Sequence, residues 1–476
     1  MRDQMVERAA RVGHVKRRLL RSGICLAAVT CAAFAVPAAH AESLPEALGK
    51  AYQTNPQLNA ERARQRATDE NVPQALAGYR PQIVASLSAG LQAVRDLLPN
   101  NVIQSANLKP WQIGVTVTQT LFNGFKTANS VRVAELQVRS GREALRNVGQ
   151  GVLLDAVTAY TNVLANQSLV EAQRANVAFL QETLGITQKR LNAGDVTPTD
   201  TAQAEARLSR GRADLNAAEV NLAVSQATYS QVIGNAPNAL RPAETVDRLL
   251  PRSRDDATGL AFREHPAVMA ASFDFDVATT SIRVAESSLM PTITLQGSAS
   301  RSKDSDPTLG TFGTDQASVT GQLTQPIYDG GMAASQTRQA KEVAAQSRLV
   351  LDQFRNQART AAVGAWVANE GAKIAVTASE SEVRAATVAL QGVQREAAGG
   401  QRTTVDVLNA QQDLILAKAR LIGAQRDRVI ASYTLLSAIG RLDVKTLGLN
   451  TPDYLPEVHY HQVRDAWHGL RTPSGQ

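Results

Sequence analysis

The stretch QTLFNG at residues 119–124 recurs as QPIYDG at residues 325–330, an offset of 206 positions. The same offset continues without a shift of register as far as Gly234 and Gly440. The matches between them include Tyr160/Trp366, Gly194/Gly400, Thr197/Thr403, Asp200/Asp406 and Leu215/Leu421. Solenoid repeats are about 20 to 50 residues long. Two copies of a much longer unit therefore predict a tandem duplication of one large module, which closes with further copies of itself.

Both stretches lie where a strand pattern gives way to a helix pattern. Alternating apolar and polar residues predict strands at about residues 82–95, 111–122, 292–301 and 317–328. Polar loops at residues 97–110 and 303–315 are expected to join them into two hairpins. Such a hairpin, about 10 residues tall with an uncharged apolar face, has the height of a transmembrane β-strand. Four strands cannot close a barrel, so the chain must oligomerise or pack its hairpins on something water-soluble.

The helices are predicted from period and proline spacing. Residues 124–192 and 332–396 contain no proline, so each can form one rod of roughly 100 Å. Each rod is preceded and followed by shorter helices, predicted at residues 56–79, 198–233, 266–289 and 403–439. Apolar residues recur every seven positions at Leu408, Ile415, Ile422, Val429 and Leu436. A sustained period of seven favours a coiled coil, and an ordinary amphipathic bundle is the alternative.

The amino terminus is typical of a secretory signal peptide. Residues 1–21 carry seven Lys or Arg and two acidic residues, residues 24–36 are apolar, and Ala-His-Ala ends at residue 41. Removal of residues 1–41 takes +5 of the formal charge of +7 and both cysteines. The mature charge of about +2 gives no reason to expect a nucleic-acid partner. A lipid anchor on Cys31 is a disfavoured alternative, since no Leu-Ala-Gly type of sequence precedes it.

Several motifs give the chain a resemblance to a known family. They are LPEAL at 44–48, Asn55-Pro56, His265-Pro266, Pro81-Gln82, Met290-Pro291, LFNG at 121–124, IYDGG at 327–331, RLNAGDVTPTD at 190–200 and REAAGGQRTTVDVLN at 395–409. In order and duplicated, they resemble the TolC-type outer-membrane channels of efflux pumps and type I secretion systems. The resemblance implies a mainly α protein with a membrane β-barrel portion. It implies a homotrimer in which a 12-stranded barrel stands on a 12-helix coiled-coil periplasmic tunnel.

The duplication and the resemblance together divide the chain into segments. These are a signal peptide at 1–41, a first repeat at 42–235, an equatorial linker at 236–255, a second repeat at 256–440 and an equatorial tail at 441–476 whose end is expected to be disordered. Each repeat contains a helical hairpin with a tip, expected at about 191–200 and 396–406. At the strand-to-helix junctions, Asn123-Gly124 and Asp329-Gly330 supply a capping side chain and a glycine.

The resemblance assigns a gate to the second tip. Asp406 matches an aspartate that rings the periplasmic constriction, and Asn409 stands where the family has a second such ring. Arg402 matches an arginine that latches this coil to a neighbouring turn, where Thr199 and Asp200 match its partners. Ala397 replaces a latch tyrosine, so tight closure is in doubt. The alternative is that Asp200 and Asp406 are acidic residues favoured by the helix macrodipole at the start of a helix.

The tips also offer candidate docking residues. Gly194 and Gly400 are expected to end the long helices, and Asp195 and Gly399 lie beside them. A compact tip would let the helical hairpin of a periplasmic adaptor pack against it. A turn with no binding role is the alternative.

The resemblance predicts the outer-membrane exit duct of a tripartite efflux pump or a type I secretion system. The predicted partners are two further copies of the chain, a periplasmic adaptor, an inner-membrane ABC or RND transporter, and outer-membrane lipid. The cargo stays open, and a periplasmic coiled-coil adaptor or scaffold is the alternative function. No enzyme, cofactor or metal site is predicted, although His459, His461 and His468 could bind a metal by accident.

Overall fold

The computed structural model describes residues 41–98, 102–306 and 310–473. The predicted signal peptide lies almost wholly outside this part of the chain. The α-helices are α1 Leu44–Thr54, α2 Pro56–Asp69, α3 Asn71–Leu76, α4 Lys126–Ala193, α5 Pro198–Ile233, α6 Arg254–Glu264, α7 Pro266–Glu286, α8 Met332–Ala398, α9 Thr404–Ala438 and α10 Pro456–Val463. The strands are β1 Gln82–Ala89, β2 Gln92–Leu98, β3 Val102–Leu108, β4 Trp111–Asn123, β5 Thr292–Asp306 and β6 Gly310–Thr324.

Two long helical hairpins dominate the structure. Helix α4 has 68 residues and α8 has 67, so each is a rod of about 100 Å, as the absence of proline predicted. The rods return as α5 and α9, and α7 lies against both α4 and α8. Within the described residues, none of the helices is apolar enough over a sufficient length to cross a bilayer.

The strands form one sheet of four and one of two. The larger has the order β1-β4-β5-β6, all antiparallel, so β4 and β5 join the two repeats directly. Strands β2 and β3 pair separately beyond a break at Gly90. The predicted loops at 97–110 and 303–315 were wrong, because β3 and the ends of β5 and β6 occupy most of them. Strand β3 is short, with turn-forming residues on both sides, Pro99-Asn100-Asn101 before it and Lys109-Pro110 after it, and the ends of β5 and β6 are polar.

The strand-to-helix junctions confirm the predicted capping and differ between the repeats. In the first, the side-chain oxygen of Asn123 accepts from the Thr127 N–H over 3.3 Å, and its amide donates to the Thr127 hydroxyl over 2.7 Å. In the second, Asp329 accepts from the backbone of Gly331 and Ala333 over 2.9 and 2.6 Å. The strand predicted for 317–328 stops at Thr324, because Pro326 has no N–H to donate to a neighbouring strand.

The largest core lies at the middle of the rods. It joins α1, α4, α5, α9 and the segment after α9. Tyr160 is fully buried, with its hydroxyl 2.8 Å from the carbonyl oxygen of Glu42 and 2.7 Å from that of Arg241. Tyr229 donates to the Glu42 carboxylate over 2.9 Å, and Lys50 pairs with the same carboxylate over 2.8 Å. This cluster fastens the start of the described chain and the linker to the first hairpin.

The tail after α9 contains a helix that packs on the first repeat. Helix α10 packs on α2, and His459 lies 2.9 Å from Asp69, which is fully buried. Near the end of the chain, the Arg80 guanidinium donates to the Ala466 carbonyl and stacks on Trp467. The expected disorder concerns only the last dozen residues of the tail, and it stays a prediction. The tail helix uses His459 and Tyr460 for packing, and a composition rich in proline and charge concealed this.

Candidate functional site

The two tips begin their return helices in the same way. At the start of α5, the backbone N–H and hydroxyl of Thr197 both donate to the Asp200 carboxylate, over 3.0 and 2.8 Å. At the start of α9, Thr403 makes the same bonds to Asp406 over 3.0 and 2.9 Å. Each is a capping box, in which the two residues satisfy each other's backbone donors. Within one chain, Asp200 and Asp406 are therefore helix-capping acids.

The capping bonds also fix the charge of these acids. The N–H of Thr403, followed by its hydroxyl, lowers the pKa of Asp406 below its ordinary value. Asp200 has a lowered pKa for the same reason, with Thr197 as the donor. Hydrogen bonds that favour the charged form of a carboxyl group lower its pKa. Both carboxylates are accordingly ionised at neutral pH.

The two long helices differ in where the left-handed glycine stands at their ends, by one residue. Gly194 caps α4 with φ 82°, a left-handed conformation that suits glycine, and the Asp195 N–H closes the turn on the Arg190 carbonyl over 2.9 Å. Gly399 caps α8 with φ −82°, and the left-handed residue is Gly400, with φ 77°. Gly194 thus ends its helix as predicted, whereas Gly400 stands one position beyond the cap.

Arg402 forms its ion pair within its own tip. Its Nε lies 3.0 Å from Oε2 of Glu396, at the end of α8. Among the described residues, no hydrogen bond links Arg402 to Thr199 or Asp200. The predicted latch partners therefore do not meet within one chain, and a latch between neighbouring copies stays a prediction.

Asn409 has a partner that the sequence analysis missed. Its side-chain oxygen accepts a 2.9 Å hydrogen bond from Nη2 of Arg207, on α5 of the first hairpin. A guanidinium thus stands one turn from Asp406, beside the position where the resemblance implies a second aspartate. Arg207 directly precedes Leu208, a buried apolar residue of α5, and this was the available signal. That Arg207 contacts Asn409, 202 residues away, could not be predicted without knowing how the two hairpins pack.

The start of α9 is held on the first hairpin by further contacts. Leu408 is 3 % exposed and packs in one cluster with Val177 and Leu208. Next to it, the Gln411 amide donates to the Asn176 side chain over 2.8 Å, and both groups are buried. A buried amide pair is costly to separate because each partner loses its bond without regaining water. The second tip is therefore fastened to the first hairpin of the same chain.

No cluster of three or more His, Cys, Asp or Glu that could hold a metal exists in the described ranges. His459, the strongest of the histidine candidates, contacts Asp69 only as a buried pair. The tip is a polar, exposed end of a helical hairpin, and its chemistry is that of charge and capping.

Comparison with known proteins identifies the family. The family model described as outer membrane efflux protein matches residues 47–235 and 258–441, which correspond to the two repeats. The outer membrane efflux protein BepC of Brucella suis is 40% identical over 443 residues, covering 92% of this chain and 94% of that protein. The outer membrane protein TolC of Vibrio cholerae is 29% identical and covers 84% and 91%.

A solved structure shows the same fold. The CmeC outer membrane channel of Campylobacter jejuni superposes with a TM-score of 0.74 at 14% identity, covering 89% of each chain. The model match over both repeats and the 40% identity to BepC together establish the family. The chain belongs to the outer membrane efflux protein family.

Proposed function

We propose that this chain forms the outer-membrane exit duct of a tripartite efflux pump or a type I secretion system, as a homotrimer. The observation that carries the proposal is the four-stranded sheet, in which β1 and β6 each leave one edge without a partner strand in the described chain. Open strand edges are not tolerated in lipid, so such a sheet must close with other copies. Three copies of four strands give a 12-stranded barrel.

The distribution of charge along the sheet supports its place in a membrane. Residues 292–300 of β5 and 316–324 of β6 carry no charge, and each segment is nine residues long. A tilted transmembrane strand needs about 9 to 11 residues. Directly above this band, Arg301 and Asp315 are cross-strand partners joined by two hydrogen bonds of 2.5 and 2.6 Å. We infer that this ion pair marks the outer boundary of the membrane.

The long helix of the second repeat supports the trimer independently. Helix α8 leaves large apolar side chains exposed along its length. They are Val343, Leu349, Val350, Phe354, Val367, Ile374 and Val388, with exposed fractions from 37% to 71%. Apolar exposure on this scale marks an interaction surface. In the proposed trimer, neighbouring copies cover it and four helical strands per copy form a tunnel of twelve.

The helical tips are the proposed periplasmic end. The residues Gly194, Asp195, Gly399 and Gly400 make each tip narrow, and an adaptor hairpin can pack against them. The adaptor would connect the duct to an inner-membrane ABC or RND transporter. A role as an adaptor itself is not favoured, because the outer membrane efflux model matches both repeats.

The most detailed part of the proposal is a gate at the second tip. Three Asp406 carboxylates, with Asn409 one turn away, would ring the periplasmic constriction and attract cations. When the duct is closed, Arg402 would release Glu396 of its own tip. It would then bind Thr199 and Asp200 of a neighbouring copy. The capping role of Asp406 is compatible with this, since one carboxylate has capacity for further contacts.

Cysteine labelling in intact cells tests the orientation. The two natural cysteines lie in the predicted signal peptide, so the mature protein has no background. Lys303→Cys, near the outer end of β5, should react with an impermeant maleimide. Asp195→Cys and Gln401→Cys should react only after the outer membrane is permeabilised, because they lie at the other end of a rod of about 100 Å. Equal labelling of all three in intact cells would contradict the proposed orientation.

A further inference from the structure

The two repeats pair their own strands in the same register. Residues of β4 match residues 206 positions later in β6, and residues of β1 match residues 210 positions later in β5. Gln82 lies opposite Thr118 in the first repeat. Thr292 lies opposite Thr324 in the second, and these are the matched positions. The match continues to the end of β1 without a slip, so each pair of strands is a structural copy of the other.

The helices on either side of the strands repeat their packing as well. In the first repeat, Leu58 of α2 shares a core cluster with Leu145 and Val152 of α4. The matched residues of α7 and α8 share a cluster in the second repeat, and they are Val268, Leu351 and Ala358. The offsets are again 210 residues for the short helix and 206 for the long one. Sheet and helices therefore keep one arrangement within each repeat.

A different contact joins the first repeat to the second. Strand β4 pairs with β5, and Val117 lies opposite Gly297. Below the sheet, α7 lies against α4, where the Ser140 hydroxyl donates to the Asp274 carboxylate over 2.6 Å. This contact uses β4 and α4 of the first repeat with β5 and α7 of the second.

The matching strands at the two edges of the sheet lack such a contact. Strand β6 matches β4, and β1 matches β5, yet each has one edge without a partner strand in the described chain. The edge of β6 is therefore of the kind that β4 offers to β5, and the edge of β1 is of the kind that β5 accepts. The two free edges are complementary to each other.

The matching helices also have free surfaces. Helix α8 matches α4, and it exposes Val343 and Leu349 on either side of Gln346, which stands at the position of the α4 serine. Helix α2 matches α7, and Arg64 stands at the position of Asp274. The Arg64 side chain is 77% exposed. The free surface of α8 thus corresponds to the surface of α4 that α7 covers.

We propose that neighbouring copies meet through the same contact that joins the two repeats of one chain. Strand β6 of one copy would pair with β1 of the next in the register of β4 and β5, which places Leu323 opposite Leu87. Helix α2 of the next copy would lie on α8, with Arg64 beside Gln346. The proposal rests on the proposed homotrimer, and it adds the strand register and the helix that covers α8.

The side chains of the two edges fit this register. Leu323 and Leu87 are 66% and 75% exposed in one chain, and each would cover the other. Val319 would lie level with Leu91, just beyond β1, and both are exposed as well. Apolar cross-strand pairs stabilise a sheet. A shift by one residue would set each leucine opposite a polar residue and turn one apolar face to the other side of the sheet.

At the helices, the donor and the acceptor would exchange places. Within the chain, Ser140 on α4 donates to Asp274 on α7. Between copies, the Arg64 guanidinium on α2 would donate to the side-chain oxygen of Gln346 on α8. The ion pair of Arg64 with Glu61 of its own helix spans 3.6 Å. Such exposed pairs contribute little to stability, so this pair leaves Arg64 available to a neighbour.

Disulfide cross-linking of the mature protein in amphipol tests the register. Leu87→Cys combined with Leu323→Cys should give covalent trimers on a non-reducing gel after oxidation with copper phenanthroline. Directly opposite residues of antiparallel strands have Cα atoms about 4.5 to 5.5 Å apart, within the range of a disulfide. Ala89→Cys with Leu323→Cys is the matched control. It should give at least about tenfold less product, since diagonal neighbours are about 7 to 8 Å apart.

Mass photometry of the reduced variants separates this proposal from the proposed function. A trimer that cross-links better in the control pair, or in neither pair, would overturn the register and leave the homotrimer intact. A protein that remains monomeric would contradict the homotrimer, and the register with it.

A second pair of cysteines tests the helix contact. Arg64→Cys with Gln346→Cys should be joined between copies by a short bismaleimide. Asn59→Cys with Gln346→Cys is the control, because Asn59 is also exposed but lies five residues earlier, on another face of α2. Equal cross-linking of both pairs, or none in a protein that is trimeric, would show that α2 does not cover α8 in this way.

Discussion

The two long helices α4 and α8 come from matching positions of the duplicated unit and differ by one residue in length, yet their surroundings differ. Twenty residues of α4 are buried, against nine of α8. Helix α4 contacts α1, α2, α3, α5, α7 and α9, whereas α8 contacts mainly α6, α7 and α9. Of the large apolar side chains of α4, only Ile186 is exposed, and the rest are at least partly covered by the same chain. In the second repeat, positions such as Leu349 and Ile374 remain about 70% exposed.

This contrast shows what duplication achieves in this fold. The first rod lies inside the protomer, and the second forms part of its edge. The open edge of β6 and the exposed apolar face of α8 both belong to the second repeat. In the proposed trimer, β6 of one copy would pair with β1 of the next, so each repeat supplies one strand edge of the interface.

The largest expected effect comes from charging the exposed face of α8. The double variant Val367→Glu, Ile374→Glu should prevent trimer formation, because it would bury carboxylates without partners at the interface. Mass photometry in amphipol measures the assembly. The double variant Val367→Leu, Ile374→Leu keeps the apolar surface and should remain trimeric. A trimer in both variants would show that α8 is not an interface.

The next largest expected effect is a loss of stability in the core around α4. Tyr160→Phe should lower the free energy of unfolding by about 1 to 3 kcal/mol, since the carbonyls of Glu42 and Arg241 lose their shared donor. Tyr433 is nearly as buried, but its hydroxyl has no hydrogen bond to the described residues. Tyr433→Phe should therefore be almost neutral. Denaturant titration compares the two, and equal losses would contradict the role given to the Tyr160 hydroxyl.

The same core predicts a sensitivity to alkali. Burial raises the pKa of Tyr160, and also that of Tyr433, to about 12, from an ordinary value of 10. Unfolding releases these protons between the two pH values, so the contribution to stability is complete below pH 10 and is lost as the pH rises towards 12. The denaturant concentration at the unfolding midpoint should fall as the pH rises from 10 to 12. Tyr160→Phe should reduce the slope, and a midpoint independent of pH in both proteins would refute the prediction.

The smallest expected effect is at the tips, where the two repeats are alike. Thr197→Ala and Thr403→Ala should each destabilise the adjoining helix start by about 1 kcal/mol, the usual value of an N-cap. Hydrogen exchange of the first turns of α5 and α9 measures this. Unchanged protection of either first turn in its variant would contradict the capping role of that threonine.

Much of this fold follows from the sequence, and the failures have physical causes. The lengths of α4 and α8 and the caps at Thr197 and Thr403 were predictable because proline spacing and capping chemistry are local. Strand β3 was not, because it has only seven residues and lies between two proline-containing turn signals. The Arg207 contact to Asn409 was not predictable either, since it depends on the packing of two hairpins that are distant along the chain.

The most direct test of the account is the conductance of single channels in planar bilayers. The wild type should form channels with a low resting conductance and a preference for cations. Asp406→Ala should reduce that preference, whereas Asp200→Ala, which removes the equivalent capping acid of the first tip, should leave it unchanged. Arg402→Ser should raise the resting conductance because the closed state loses a tie between copies.

Glu396→Gln is the control for Arg402, because it removes the ion pair within one chain and leaves the tie between copies. It should not raise the conductance, so a rise equal to that of Arg402→Ser would assign the effect to the local pair. Channels whose cation preference is lost in Asp406→Ala and kept in Asp200→Ala are the result that the account predicts. A protein that forms no channels, or channels with the same selectivity in all variants, would contradict it.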